Sequence, residues 1–217
     1  MSSIGTRFDG RPWMFRVPPL IQYIHRKYVD DFFATGTIQL SSWRACWEAE
    51  DAERRDWSEG RYEGMVGNCA VAAFMPPVHL LCVSAVENKE MASAWQTDAG
   101  IRIVRPQEFA HAIARRLAAS DAGFKGGEFG PCAYRDGKFN QWHAQTPVID
   151  SEPTEETMMQ LEECISRAAL PTIFVKDVKF QPQAEWRFVW WIDAPKSDRL
   201  LIECPEARQY CESVSFM

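Results

Sequence analysis

The segment EWRFVWW at residues 185–191 restricts the possible folds of this chain more than any other. Side chains of an extended strand alternate between faces, so Trp186, Phe188 and Trp190 share one face and Glu185, Arg187 and Val189 the other. Three large rings on one face need a packed core against them, which places the strand in a covered sheet. The opposite face then carries a carboxylate beside a guanidinium. On an edge strand such a pair is a weak surface salt bridge. On a central strand, which the aromatic backing favours, it needs a further ionic partner or a ligand.

The rest of the chain supplies material for such a sheet. Trp13 to Val17 reads as a short strand ended by Pro18-Pro19. Leu20, Ile21, Ile24, Tyr28 and Phe32 fall on one helical stripe, with Gly36 where a C-terminal cap belongs. Thr37 to Ser41 has the β-branched, alternating character of a strand, and Trp43 to Gly60 reads as a partly helical, charged connection. His79 to Ala85 is a nearly unbroken apolar run, as expected of a central strand covered on both faces. A short helix over Glu87 to Trp95, a strand over Gly100 to Arg105 and a helix over Pro106 to Ala119 follow, the last with Phe109, Ile113 and Leu117 on its apolar face. The glycine-rich Gly123 to Gly130 lacks the GK[ST] of a phosphate loop and reads as a mobile loop, followed by a hairpin around CAYRDGKF. The run SEPTEETMM opens a helix. Thr172 to Phe180 and Glu185 to Ile192 are strands separated by QPQ, and Leu200 to Glu203 is an edge strand. With no repeat or low-complexity linker, the expectation is α+β: a single domain over residues 1–217, a mixed or antiparallel sheet with flanking helices.

Several function classes recede on composition. A net charge of −6 argues against a constitutive nucleic-acid coat, although a locally basic groove remains open. The seven Cys are odd in number and scattered without a CxxC pair, so they read as free thiols of a reducing compartment. The four His lie far apart, without HExxH, so no metal is expected. The N-terminal MSSIGTRFDGRPW has no apolar core of a signal peptide, and no run of about 18 apolar residues offers a membrane span. These features together point to a cytoplasmic protein.

The order of motifs carries one further signal. GTIQLSS (36–42), DWSEG (56–60), LCVS (81–84), EMASAW (90–95), GIRI (100–103) and QAEWR (183–187) occur in sequence over about 150 residues. This order resembles a widespread bacterial family of unassigned function, whose members share a G-x-I-x-L-S-S strand and a late E-W-R strand. Relative to that pattern the Asn-Asp-Pro segment is reduced to Asp56, the Met-Trp pair is broken by the shift to Trp95, and Gln183 replaces a Glu. The family is in turn similar in layout to the ADP-ribosyltransferase fold.

That resemblance implies NAD as substrate, held among a basic residue on a first strand, a hydroxyl residue on the next and a Glu on a late strand. Breaking the nicotinamide bond develops positive charge on the ribose, which a carboxylate stabilises. Carried onto this chain, Arg16 and Ser42 bind NAD, and Ser41, Glu185 and Arg187 form the catalytic set. Trp95 and Tyr134 offer rings to stack on nicotinamide or a base, or else pack in the core. Arg16 also reads as a strand-end charge, and Ser41-Ser42 as a helix cap. The implied activity is ADP-ribosyl transfer to a nucleic acid or protein, as a toxin restrained by an antitoxin or a phage-defence effector. A catalytically silent nucleotide- or partner-binding module and an NAD glycohydrolase are the alternatives.

Overall fold

The structure, a computed structural model, describes residues 4–6, 17–47, 61–66, 69–74, 78–120, 123–135, 154–156, 173–192 and 197–216. Its elements in chain order are β1 (Ile4–Thr6), β2 (Leu20–Ile24), α1 (Arg26–Thr35), β3 (Thr37–Ser41), α2 (Trp43–Trp47), β4 (Arg61–Val66), β5 (Cys69–Phe74) and β6 (Val78–Ser84). There follow α3 (Lys89–Ala94), β7 (Ala99–Ile103), α4 (Pro106–Ser120), β8 (Phe124–Pro131), β9 (Ala133–Arg135), β10 (Val175–Asp177), β11 (Glu185–Ile192), β12 (Arg199–Glu203) and β13 (Cys211–Ser215). Two 3-10 helices, Val178–Gln183 and Pro205–Tyr210, precede β11 and β13.

The fold is α+β, built on a mostly antiparallel nine-stranded sheet in the order β1-β8-β11-β6-β2-β7-β13, with β3 pairing both β6 and β12. Strand β1 is parallel to β8, β9 and β10 form a separate parallel pair, and β4 and β5 an antiparallel one. The expected EWRFVWW strand is β11, held between β8 and β6 in the middle of the sheet. Its aromatic face enters the main core, where Phe188 stacks on Phe129 at 5.3 Å between ring centroids and meets Phe109 of α4 edge-on at 5.5 Å. Phe109, Ile113 and Leu117 are buried there as their helical spacing predicts. Val189, on the other face, packs with Trp43, Leu80, Ile173 and Phe174. Both faces of β6 are thus covered, which explains its unbroken apolar run.

Three expectations are corrected. The helical stripe from Leu20 is a strand, β2, and the helix starts only at Arg26. A strand covered on both faces loses its two-residue alternation, and apolar residues at 20, 21 and 24 then fit a helical period equally well. The glycine-rich Gly123 to Gly130 is not a mobile loop but β8, an interior strand paired on both sides. A Cβ on Gly127 would come within 2.7 Å of the Val189 carbonyl and 2.9 Å of the Trp190 ring, so bare backbone here makes room for that indole. The strand expected over Thr172 to Phe180 shortens to β10, because the Asp177 carboxylate accepts from the Lys179 N–H (3.0 Å) and turns the chain into a 3-10 helix holding Phe180.

Gly36 caps α1 as expected, with φ of 81° and its N–H on the Phe32 carbonyl. Residues 13–16, 48–60, 136–137 and most of the SEPTEETMM run lie outside the described residues, and with them the first-strand, charged-connection and hairpin-turn expectations. Within CAYRDGKF, Ala133–Arg135 forms β9, paired with β10.

Candidate functional site

Strand alternation turns Glu185 and Arg187 to the face opposite Trp186 and Phe188, and both are buried, at 6% and 1% exposure. The Arg187 Nε donates to Glu185 Oε1 at 2.6 Å, and its terminal nitrogen donates to the Ile173 carbonyl at 2.7 Å. The guanidinium also lies over the Trp43 ring, 5.5 Å from its centroid. Lys176 of β10, likewise buried, donates to the other carboxylate oxygen, to Gln183 Oε1 at 3.1 Å, and sits over the Phe180 ring. The Cys132 thiol approaches Glu185 Oε1 at 3.8 Å. Tyr134 of β9 completes the group: its hydroxyl accepts from the Glu185 backbone N–H at 2.6 Å.

Burial works against ionisation of Glu185, but Arg187 and Lys176 outweigh it and hold the carboxyl well below its usual range. The group is therefore an anion at neutral pH. It serves as a hydrogen-bond acceptor or a stabiliser of positive charge, and not as a proton donor. Burial pushes the Tyr134 phenol up to about 12, which keeps it protonated and neutral.

A cavity of about 590 Å³ opens beside this cluster. Its origin is the sheet topology. The ladder joining β2 to β6 is the pair Ile21↔Ser84, and that joining β3 to β6 is the pair Ser41↔Leu80. Strands β2 and β3 therefore splay apart along one edge of β6, and α1 bridges them. The fork is lined by Gln22, Tyr23, Tyr28, Gln39, Ser41 and Ser84 among others, with Lys176, Gln183 and Glu185 on the wall and Trp95 at the side.

Two further features concentrate at this fork. Among the described residues, the non-glycine positions with positive φ are Gln96 (52°) and Ala184 (42°). Each adjoins the cavity lining: Gln96 follows Trp95, and Ala184 lies between Gln183 and Glu185. Ala184 is pinned in the left-handed region by its N–H on the Gln181 carbonyl (3.0 Å) and its own carbonyl accepting from Ala85 (2.9 Å). Backbone strain of this kind persists only where the surroundings impose it, and it clusters at functional sites.

Among the residues singled out by sequence, Glu185, Ser41 and Trp95 meet at this cavity, and Arg187 supports Glu185 from outside its lining. Glu185 aligns with Ser84 and Ser41 with Leu80, so the two enter four residues apart along β6, about 13 Å. Ser42 instead caps α2: its hydroxyl bonds Asp198 at 2.8 Å and accepts from the Ala45 N–H at 3.3 Å. Tyr134 holds the Glu185 backbone and is not in the lining, and Arg16 lies outside the described residues. Trp95 meets Tyr23 edge-on at 5.1 Å.

Sequence reasoning missed Lys176, Gln183 as its partner, and the polar residues of β2. The charge of Lys176 directly after the apolar TIFV was the available signal. Among the described residues no cluster of His, Cys, Asp and Glu is arranged to hold a metal ion, and no helix is long and apolar enough to cross a membrane. No protein-family model, curated protein or solved structure matches the chain.

Proposed function

We propose that the fork cavity binds NAD and that this chain, as a cytoplasmic enzyme, transfers ADP-ribose from it to a nucleic acid or protein. The observation that carries the reading is Glu185: a carboxylate fixed in its ionised form on the wall of a cavity with the volume of a nucleotide ligand. In the transfer, the bond between nicotinamide and ribose C1′ breaks. An acceptor oxygen or nitrogen bonds to C1′, and its proton passes to solvent. Glu185 accepts from a ribose hydroxyl and offsets the positive charge that builds on the ribose. Arg187 and Tyr134 act through Glu185, as positioning residues. Trp95 and Tyr23 supply rings at the side of the cavity, and Ser41 a hydroxyl at its far end.

One observation favours a second reading, a nucleotide-binding module without turnover. Both Glu185 oxygens are already engaged by cations, which weakens the field available to a developing positive charge. Incubation with NAD labelled in the adenylate half separates these two readings from each other and from NAD hydrolysis. Nicotinamide release with label on an acceptor supports transfer, release without transfer supports hydrolysis, and saturable binding without release supports the silent module. Absence of NAD binding refutes all three.

A further inference from the structure

The geometry points to Gln22 as the residue that selects the ligand, through a planar edge carrying a hydrogen-bond donor beside an acceptor: a carboxamide or an aminopurine. The inference rests on the fork cavity being the ligand site, as in the proposed function. Gln22 lines that cavity from β2. Its side-chain oxygen is fully buried and has no hydrogen-bond partner. Buried polar atoms are nearly always paired, and an unpaired one raises the free energy of the state that contains it. This amide is therefore poised to trade its position for a better one.

Its surroundings define what that is. Ile21 aligns with Ser84 and, through it, with Glu185 across adjacent strands, whereas the next residue, Gln22, alternates to the opposite face with Leu20 and Ile24 and reaches the cavity through the gap between β2 and β3. The Gln22 backbone thus lies about two strand spacings, roughly 10 Å, from that of Glu185, and a ligand touching both side chains has to pass through that gap. The torsion that orients a glutamine amide is soft, so the group turns into the cavity at small cost. Once turned, it presents a carbonyl oxygen and an NH2 side by side. The ligand edge that satisfies both is a donor next to an acceptor, as a carboxamide offers and as adenine offers at its amino group and adjacent ring nitrogen. A ligand with acceptors alone leaves the Gln22 oxygen unpaired and is discriminated against.

The two sources of that edge are separated by a titration of the full chain, 15N-labelled, following the Gln22 side-chain amide signal, which is assigned by its loss in Gln22→Leu. The probes are nicotinamide and adenosine, each with an acceptor-only counterpart, nicotinic acid and purine riboside. The Gln22 signal should move with nicotinamide or with adenosine, and the matching counterpart should bind at least about tenfold more weakly. Gln22→Leu should melt at or above the wild-type temperature and lose that preference. A shift with nicotinamide assigns the carboxamide, and one with adenosine the purine. The inference is overturned if no probe moves the signal, if a probe and its counterpart bind equally, or if Gln22→Leu keeps the preference. A moving signal without NAD cleavage removes the enzymatic reading and leaves this one standing, whereas cleavage without any shift does the reverse.

Discussion

Replacing Glu185 with Gln keeps the side-chain volume and removes a negative charge that two buried cations share. Lys176 and Arg187 then face a neutral amide at 4% and 1% side-chain exposure, with water largely excluded. Breaking a buried ionic tie by removing one partner costs about 3–5 kcal/mol, because the remaining charge stays desolvated. For a chain of this size each kcal/mol lowers the melting temperature by about 2–4 °C, so the expected drop is roughly 6–20 °C. Urea unfolding of Glu185→Gln, Lys176→Met and the double variant tests the point, and the double variant should lose less than the sum of the singles by about 1–3 kcal/mol. The pH dependence has a definite sign. Glu185 is held below its ordinary value of 4.5, so its contribution is complete above pH 4.5 and fades as pH falls toward the folded-state value. The gap between wild type and Glu185→Gln should therefore narrow in acid. A variant within about 1 kcal/mol of wild type at pH 7, or an additive double variant, would refute the buried-tie argument.

Three other substitutions probe the same framework. Tyr134→Phe deprives the Glu185 N–H of its acceptor and should cost about 1–3 kcal/mol in chemical denaturation, and a loss under 0.5 kcal/mol (order of magnitude) would mean the hydroxyl is dispensable. Ala184→Gly should raise stability by about 0.5–1 kcal/mol, since relief of the left-handed conformation outweighs the added chain entropy; a lower melting temperature would contradict the assigned strain. Gly36→Ala adds a Cβ within 2.5 Å of the Pro205 backbone at a φ of 81°, so a loss of at least about 2 kcal/mol is expected, and a wild-type melt would show that the α1 cap does not abut that segment.

The parts of the fold legible in the sequence were those governed by strong local pattern. The two faces of β11 followed from alternation of rings and charges, α4 from its apolar spacing, and the end of α1 from Gly36. Two of the failures arise where local pattern carries no signal. A strand buried on both faces, such as β2, carries no alternating signature, and β8 owes Gly127 to Trp190, a neighbour more than sixty residues away in sequence. The site was half legible for the same reason. Glu185 and Arg187 announced themselves as charges on an aromatic strand, whereas their tie to Lys176, the capping duty of Ser42 and the splaying of β2 from β3 depend on which strands become neighbours.

The order of strands in the sheet also sets a timetable for the chain's synthesis. Strand β6 leaves the ribosome about a hundred residues before β11, its partner along seven aligned positions, and the same strand separates β8 from β6 in space. At roughly 5–20 residues per second, the apolar β6 waits about 5–20 s without that neighbour. Contacts so distant along the chain also make productive collapse slow. The nascent chain therefore exposes a sticky, unpaired segment for seconds, and the fork cavity cannot form until translation has passed residue 185. Holdase chaperones should engage the emerging chain between those two points, and any transcript truncated before β11 yields a polypeptide destined for proteolysis rather than a partly active product.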